Sequence, residues 1–467
     1  MVRLMMETLC AWSVASAQAP APPPQSDTLL APPVLENQSA VPHVVEVTLV
    51  AAPARLALLP GKVTDVYAYN GRVPGPTLDV HEGDSVIVHF ENRLPEATTI
   101  HWHGMHLAAN MDGSPLYPIP PGARTDYVFK VGEGKAGTYW YHPHVDKRTG
   151  YQVAKGLYGA LIVRAATSPL PAAIPEKLLI LSDNRFGPDG SPDFPDPNSP
   201  AGQIDAENGR EGPVMFVNGQ LDPAVVIRSG EVQRWRIINA SAARVYRLSV
   251  PGQLLLWVGS DGGLFEKPEA VPDVILANSE RAELLVRGTG APGSREALVT
   301  LPYDRYDTHT RPADWDQSHD LARLEYATTA PVTPVAIPEA LRPVPAIDTT
   351  HVAATKVVVF TQGLINGKTM DMNRVDLRSR LGTTEIWEID NLVGMDHPFH
   401  LHGFRFQILD RNGVPERVRR WKDTVNVPKH EVVRIVVRFD NFAGKWMFHC
   451  HILDHEDAGM MGVLETN

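Results

Sequence analysis

The chain is poor in several things, and each shortage removes a class of protein. No apolar run approaches the ~18 residues that a membrane-crossing helix needs, so no membrane span is expected. Basic residues are outnumbered, 43 Lys and Arg against 54 Asp and Glu, for a formal net charge of -11. A balance of that sign argues against a general nucleic-acid footprint, and no nucleic-acid partner is expected. Two cysteines, Cys10 and Cys450, in 467 residues are too few for a disulfide framework. Helical periodicity is scarce as well. What replaces it is alternation: Val433, Ile435, Val437 and Phe439 are interleaved with Arg434, Val436 and Arg438. That is the two-residue period of a strand with one buried face. The expected fold class is all-β.

The beginning of the chain reads differently. Arg3 precedes a semi-apolar segment, Leu4 to Ala15, and Ala15-Ser16-Ala17 resembles a signal-peptidase site, although Glu7 interrupts the run. Residues 1–17 are therefore read as a possible signal peptide, which would make the protein periplasmic or secreted. Removal of that leader leaves Cys450 alone, with no intramolecular disulfide possible. Residues 18–42 are read as a Pro/Ala-rich linker, with Ala19 to Pro33 expected to be extended and poorly ordered.

The rest repeats itself. Asn-Gly occurs at Asn70-Gly71, Asn218-Gly219 and Asn366-Gly367, at equal intervals. Each copy then passes a glycine turn (Gly83, Gly230, Gly382) into a strand ending in Asn92, Asn239 or Asn391. Ala136-Gly137 through Tyr141-His142-Pro143-His144 matches Ala443-Gly444 through Phe448-His449-Cys450-His451. Three tandem β-sandwiches of ~150 residues follow, a size that one hydrophobic core supports. The expected domains are 43–168, 172–328 and 346–467, divided at Pro169-Leu170-Pro171 and by the Pro-rich stretch Pro331 to Pro345.

Ten of the 18 histidines fall into four short motifs: His101-Trp102-His103, His142-Pro143-His144, His397-Pro398-Phe399-His400-Leu401-His402, and His449-Cys450-His451 with His455 following. Imidazole is the commonest metal ligand, and strand packing has no use for histidine at these spacings. Residues i and i+2 of a strand share a face. His101/His103, His142/His144, His400/His402 and His449/His451 each present two imidazoles together. Cys450 then points the other way from its neighbours, toward a different metal. On that side Cys450, His397 and His455, with Met460 as a weak axial thioether, make the His₂Cys set of a blue-copper electron-transfer centre. Zinc sites use four ligands and would have no need of eight further imidazoles.

These four motifs, in this order, resemble those of the three-domain multicopper oxidases, the family of laccases, bilirubin oxidases and bacterial cuprous oxidases. The resemblance covers roughly residues 45 to 467. It implies three tandem cupredoxin-like Greek-key β-sandwich domains and four copper ions: one type 1, one type 2 and a type 3 pair. Position by position, type 1 copper takes His397, Cys450, His455 and Met460, and type 2 takes His101 and His400. One type 3 ion takes His103, His142 and His451, and the other His144, His402 and His449. Pro143 is a departure, since many members carry Ser there. The middle domain, with no His or Cys between His144 and His309, is expected to be a copper-free spacer.

The implied activity is one-electron oxidation of small aromatic or phenolic reductants coupled to four-electron reduction of dioxygen to water. Asp112 and Glu456 match the family's acidic proton-relay positions and are the catalytic candidates. Copper(I) is the alternative reductant, as in copper tolerance. Met395 and Asp396, just before His397, offer it a weak docking site, while Met370, Met372 and Met395 near the third-domain motifs are read first as core packing and the stretch 325 to 360 contains no Met. An inactive scaffold of the same fold is the alternative from another class. His43, His81, His89, His106, His309, His319, His351 and His430 lack partner spacing and are treated as non-ligands.

Overall fold

In a computed structural model the described residues are 27–307, 309–312 and 314–467. The leader and Cys10 lie outside them. The strands form six sheets that pair face to face into three sandwiches along the chain. The first joins two four-stranded sheets between Val44 and Arg164, the second a six- and a five-stranded sheet between Glu176 and Tyr326. The third repeats the six-plus-five arrangement between Val352 and Thr466. Each pair closes on its own apolar core, centred on residues such as Val88 and Phe90, Trp235 and Ile237, and Trp387 and Ile389.

The recurring asparagines explain why the repeat survives in the sequence. Asn70, Asn218 and Asn366 have φ of 50°, 54° and 52°, and each following glycine is also positive, the geometry of a tight hairpin turn. Each Oδ1 accepts the backbone N–H of a facing strand, Val50, Ile180 or Val359, at 2.7 Å. The second set works inside the core. Asn92, Asn239 and Asn391 are fully buried. Each donates from Nδ2 to carbonyls that include Ile119, Leu276 and Val427, at 2.8, 3.0 and 2.9 Å. Buried loop carbonyls need such partners, and a two-donor amide supplies them.

The stretch expected to be a poorly ordered linker needs correcting where it is described. Residues 27–42 are extended, yet they are pinned to two sandwiches. Leu29 N–H donates to the Ala224 carbonyl and Leu35 N–H to that of Thr77, both at 2.8 Å. Asn218 Nδ2 donates to the Leu30 carbonyl at 3.0 Å. Among the described residues no helix is long and apolar enough to cross a membrane.

Candidate metal centres

Two short antiparallel pairings bring the four motifs together. In the first sandwich His101 lies opposite His142, and in the third His400 lies opposite His449 and Phe399 opposite Cys450. The i, i+2 imidazoles of both sandwiches then face one another across their junction. All ten motif histidines are at most 5% exposed, and Cys450 and Met460 are fully buried.

Three arrangements emerge among the eight junction histidines. The Nε2 atoms of His144, His402 and His449 form a triangle with sides of 3.1, 3.0 and 3.2 Å. The Nε2 atoms of His101 and His400 face each other at 3.4 Å. His103, His142 and His451 group more loosely, with ring centroids 5.0 to 5.7 Å apart. In this last set His103 Nδ1, His142 Nε2 and His451 Nε2 are buried without a hydrogen-bond partner. A buried lone pair left empty is costly unless something else fills it. On the opposite side of the strand Gly444–Cys450, the donor atoms of Cys450, His397 and His455 lie within 4.8 Å of one another.

The outer ring nitrogens are tied down, which selects the tautomer that aims a lone pair inward. His101 Nδ1–H donates to the Asp112 carbonyl and His400 Nδ1–H to that of Asp423, each at 2.8 Å. His142 Nδ1–H donates to the carbonyl of Pro143 at 2.8 Å, so the unusual proline keeps the one backbone group this ligand uses. His402 Nδ1–H donates to Asp112 Oδ2 at 2.7 Å. The two Glu456 oxygens lie 3.3 Å from His144 Nδ1 and His449 Nδ1. Asp112 and Glu456 therefore back all three imidazoles of the triangle.

Burial sets the protonation of the site. It pushes the conjugate acids of His103, His142, His144, His397, His400, His402 and His451 well below the ordinary range, aided for most of them by neighbouring imidazoles. It lowers His449 to about 3 and His455 to about 4. Neutral imidazole is the form that binds a metal. The Cys450 thiol is pushed up by the same burial and needs a cation to ionise. Burial, with Asp457 beside it, also pushes Glu456 well above the usual carboxylate range.

Sequence reasoning missed Asp423 and the middle sandwich's part in the site. His103 Nε2–H donates to Asp423 Oδ1 at 3.0 Å. Asp423 is clamped by fully buried Arg281 of the middle sandwich, through Nη1 at 2.7 Å and a second contact from Nη2. From the same sandwich, Asn278 donates to the His451 carbonyl. The spacer reading must therefore be corrected: among the described residues the middle sandwich holds no donor group, but it orients two donors. Gly104 was the available clue. A Cβ there would lie 2.4 Å from Asp423 Oδ2 and 2.8 Å from Arg281 Nη2.

Met395 and Asp396, the candidate copper(I) docking residues, are both buried and engaged. Met395 is 1% exposed, and Asp396 Oδ2 accepts from Tyr303 Oη at 2.5 Å and Asn426 Nδ2 at 2.9 Å.

Two copper-type donor sets on opposite faces of one strand, inside tandem cupredoxin-like sandwiches, define a copper oxidase. Family profiles described as multicopper oxidase match residues 52–168 and 342–467. The multicopper oxidase mco of Staphylococcus aureus is 31% identical over 90% of this chain and 88% of its own. A solved structure, the metallo-oxidase multicopper oxidase of Campylobacter jejuni, superposes with a TM-score of 0.85 at 34% identity, covering 95% and 96% of the two chains. The cell division protein FtsP of Escherichia coli is also similar, 30% identical over 95% of this chain and 93% of its own. The chain belongs to the multicopper oxidase family. It is an oxidoreductase of a copper-using class.

Proposed function

We propose that the protein oxidises small phenolic and aromatic donors one electron at a time and reduces dioxygen to water. The observation that carries this reading is the strand end His449-Cys450-His451, whose sulfur belongs to one donor set and whose imidazoles belong to the other. The donors suit four copper ions. His397, Cys450 and His455, with Met460 as a weak further donor, would hold type 1, and His101 with His400 type 2. His103, His142 and His451 would hold one type 3 ion, and His144, His402 and His449 the other. The three unpartnered nitrogens and the Nε2 triangle are what such ions would satisfy. Bound copper would supply one-electron acceptance at the first set and dioxygen reduction at the second.

The chain's own residues do the remaining work. Cys450 joins the two sets through its backbone, so an electron leaving the sulfur travels to His449 or His451 through covalent bonds. His455 offers the route inward: its Nε2–H donates to the Glu207 carbonyl at 3.1 Å, and the outer end of the ring lies under the helix Pro200–Asn208. Four electrons and four protons turn one dioxygen into two waters. Glu456, kept protonated by burial, is suited to give protons beside His144 and His449, and Asp112 beside His101 and His402.

The N-terminal residues 1–17 support export, to the periplasm or outside the cell. The likeness to a metallo-oxidase favours a second reading, oxidation of copper(I), against which stands the engagement of Met395 and Asp396. The complete donor set speaks against an inactive scaffold. The deciding experiment compares oxygen uptake by copper-loaded enzyme on a methoxyphenol and on copper(I). The proposal expects the phenol to be the better substrate, and Met395→Leu to leave both rates within a few-fold. A strong preference for copper(I) that Met395→Leu destroys would overturn it. A copper-loaded protein without oxygen uptake on either substrate would favour the scaffold.

A further inference from the structure

A cavity of about 400 Å³ opens at the junction of the first and third sandwiches, lined by none of the donor groups above. Its wall carries four cations, Lys130, Lys135, Arg405 and Arg438, against two acids, Glu133 and Asp440, and of these cations Lys135 and Arg405 make no ion pair among the described residues. Lys135 Nζ has no hydrogen bond or ion pair among the described residues. Arg405 makes a single polar contact, Nη1 to the Gly134 carbonyl at 2.8 Å. The carboxylates whose charge reaches them, Asp440 for Lys135 and Glu82 for Arg405, are paired elsewhere, and Glu133 on the same wall makes no ion pair with either cation. Asp440 pairs with Arg438 at 3.0 Å and Glu82 with Arg342 at 2.9 Å. The two cations also oppose each other, and burial with Arg405 nearby brings Lys135 down to about 7.

Beside these charged groups lie the rings of His106, Phe404, Trp421 and Phe442, with Ile347 and Asn441. The Arg405 guanidinium lies 3.8 Å from the ring centre of Trp421, which fixes its donor fork in place. His106 sits between Phe404 and Phe442, with ring centroids at 5.4 and 5.0 Å, and is anchored by a bond from Nδ1–H to the Gly403 carbonyl. A guanidinium held in place and an ammonium without an ion pair, set beside aromatic rings, give a pocket of mixed lining with a cationic end and a flat apolar wall. The volume accommodates one substituted ring.

We propose that this cavity binds a small aromatic monocarboxylate. Lys135 and Arg405 take the carboxylate through charge-assisted hydrogen bonds, and Phe404 and Phe442 pack against the ring. The inference does not depend on which reductant the copper sites use. None of these side chains is a metal donor or backs one.

The test is calorimetric titration of benzoate, and separately of acetate, into copper-loaded protein. Saturable benzoate binding is expected, tighter than that of acetate. Lys135→Met keeps the apolar stem and removes the charge, and should weaken benzoate about tenfold or more, the weight of one charge-assisted hydrogen bond. Arg405→Met should do the same, and Phe442→Ala should weaken benzoate while leaving acetate unchanged. If Arg405→Met fails to fold for want of its Trp421 contact, Lys135→Met alone decides. Absence of saturable benzoate binding, equal affinity for acetate and benzoate, or wild-type affinity in Lys135→Met would each overturn the proposal.

Discussion

The two donor sets share one strand but are supported in opposite ways. His397 and His455 direct their outer nitrogens to backbone carbonyls, those of Met395 at 2.9 Å and Glu207 at 3.1 Å. The sulfur of Cys450 accepts the Ile452 N–H at 3.4 Å. Among the described residues no carboxylate lies within ion-pair distance of His397 or His455. Six of the eight junction histidines, by contrast, lie within ion-pair distance of three buried acids: His101 and His402 of Asp112, His144 and His449 of Glu456, and His103 and His400 of Asp423. Carbonyls can orient an imidazole but cannot deliver a proton, whereas carboxylic acids do both. Under the proposed function, the site that would pass only electrons is built without acids, and the site that would consume protons is built around them.

The hardest way to break this comparison is to remove the shared atom. Cys450→Ser should abolish the intense visible absorption, which needs the copper–thiolate bond, and with it turnover. Copper analysis should still find the eight-histidine cluster largely filled. A variant that stays blue would refute the assignment of the sulfur. Next come the acids. Asp112→Asn and Glu456→Gln should slow re-oxidation of the reduced enzyme by dioxygen, by about 10²-fold or more, the usual weight of a lost general acid. Anaerobic reduction of the first set should keep its rate. If both variants re-oxidise normally, the carboxylates only hold imidazoles.

The clamp from the middle sandwich should weigh less. Arg281→Met leaves Asp423 buried without its cation and loosens His103. Copper retention at the junction should fall about 10–100-fold, as for other partners that orient a metal-binding imidazole. Dialysis against a chelator would measure it, and unchanged retention would return the middle sandwich to a spacer role. The smallest effect belongs to Met460→Leu. Losing a weak axial thioether should raise the type 1 reduction potential and alter turnover by only about a few-fold. An unchanged or lower potential in redox titration would place another group at that position.

Much of this was legible in the sequence because it is local. Alternation put His449 and His451 on one face and Cys450 on the other, and the spacing of Asn70, Asn218 and Asn366 declared three copies before any sheet was seen. What was not legible is long-range. Arg281 meets Asp423 across 142 residues, and no local spacing announces an ion pair between a middle-sandwich strand and a third-sandwich one. Adjacency also misled. Met395 and Asp396 precede His397 in sequence, but Asp396 is drawn to Tyr303 and Asn426, and Met395 packs into the third core. The described part of the N-terminal linker failed for a related reason, since Pro/Ala composition is blind to the strands that receive it.

The most direct test of a proton-free and a proton-consuming site is the solvent isotope effect on the two half-reactions of the wild-type, copper-loaded enzyme. Hexacyanoferrate(II) serves as reductant because it has no proton to lose. The account predicts that D₂O leaves anaerobic reduction by this donor unchanged and slows re-oxidation by dioxygen. An equal effect on both half-reactions, or none on re-oxidation, would contradict it.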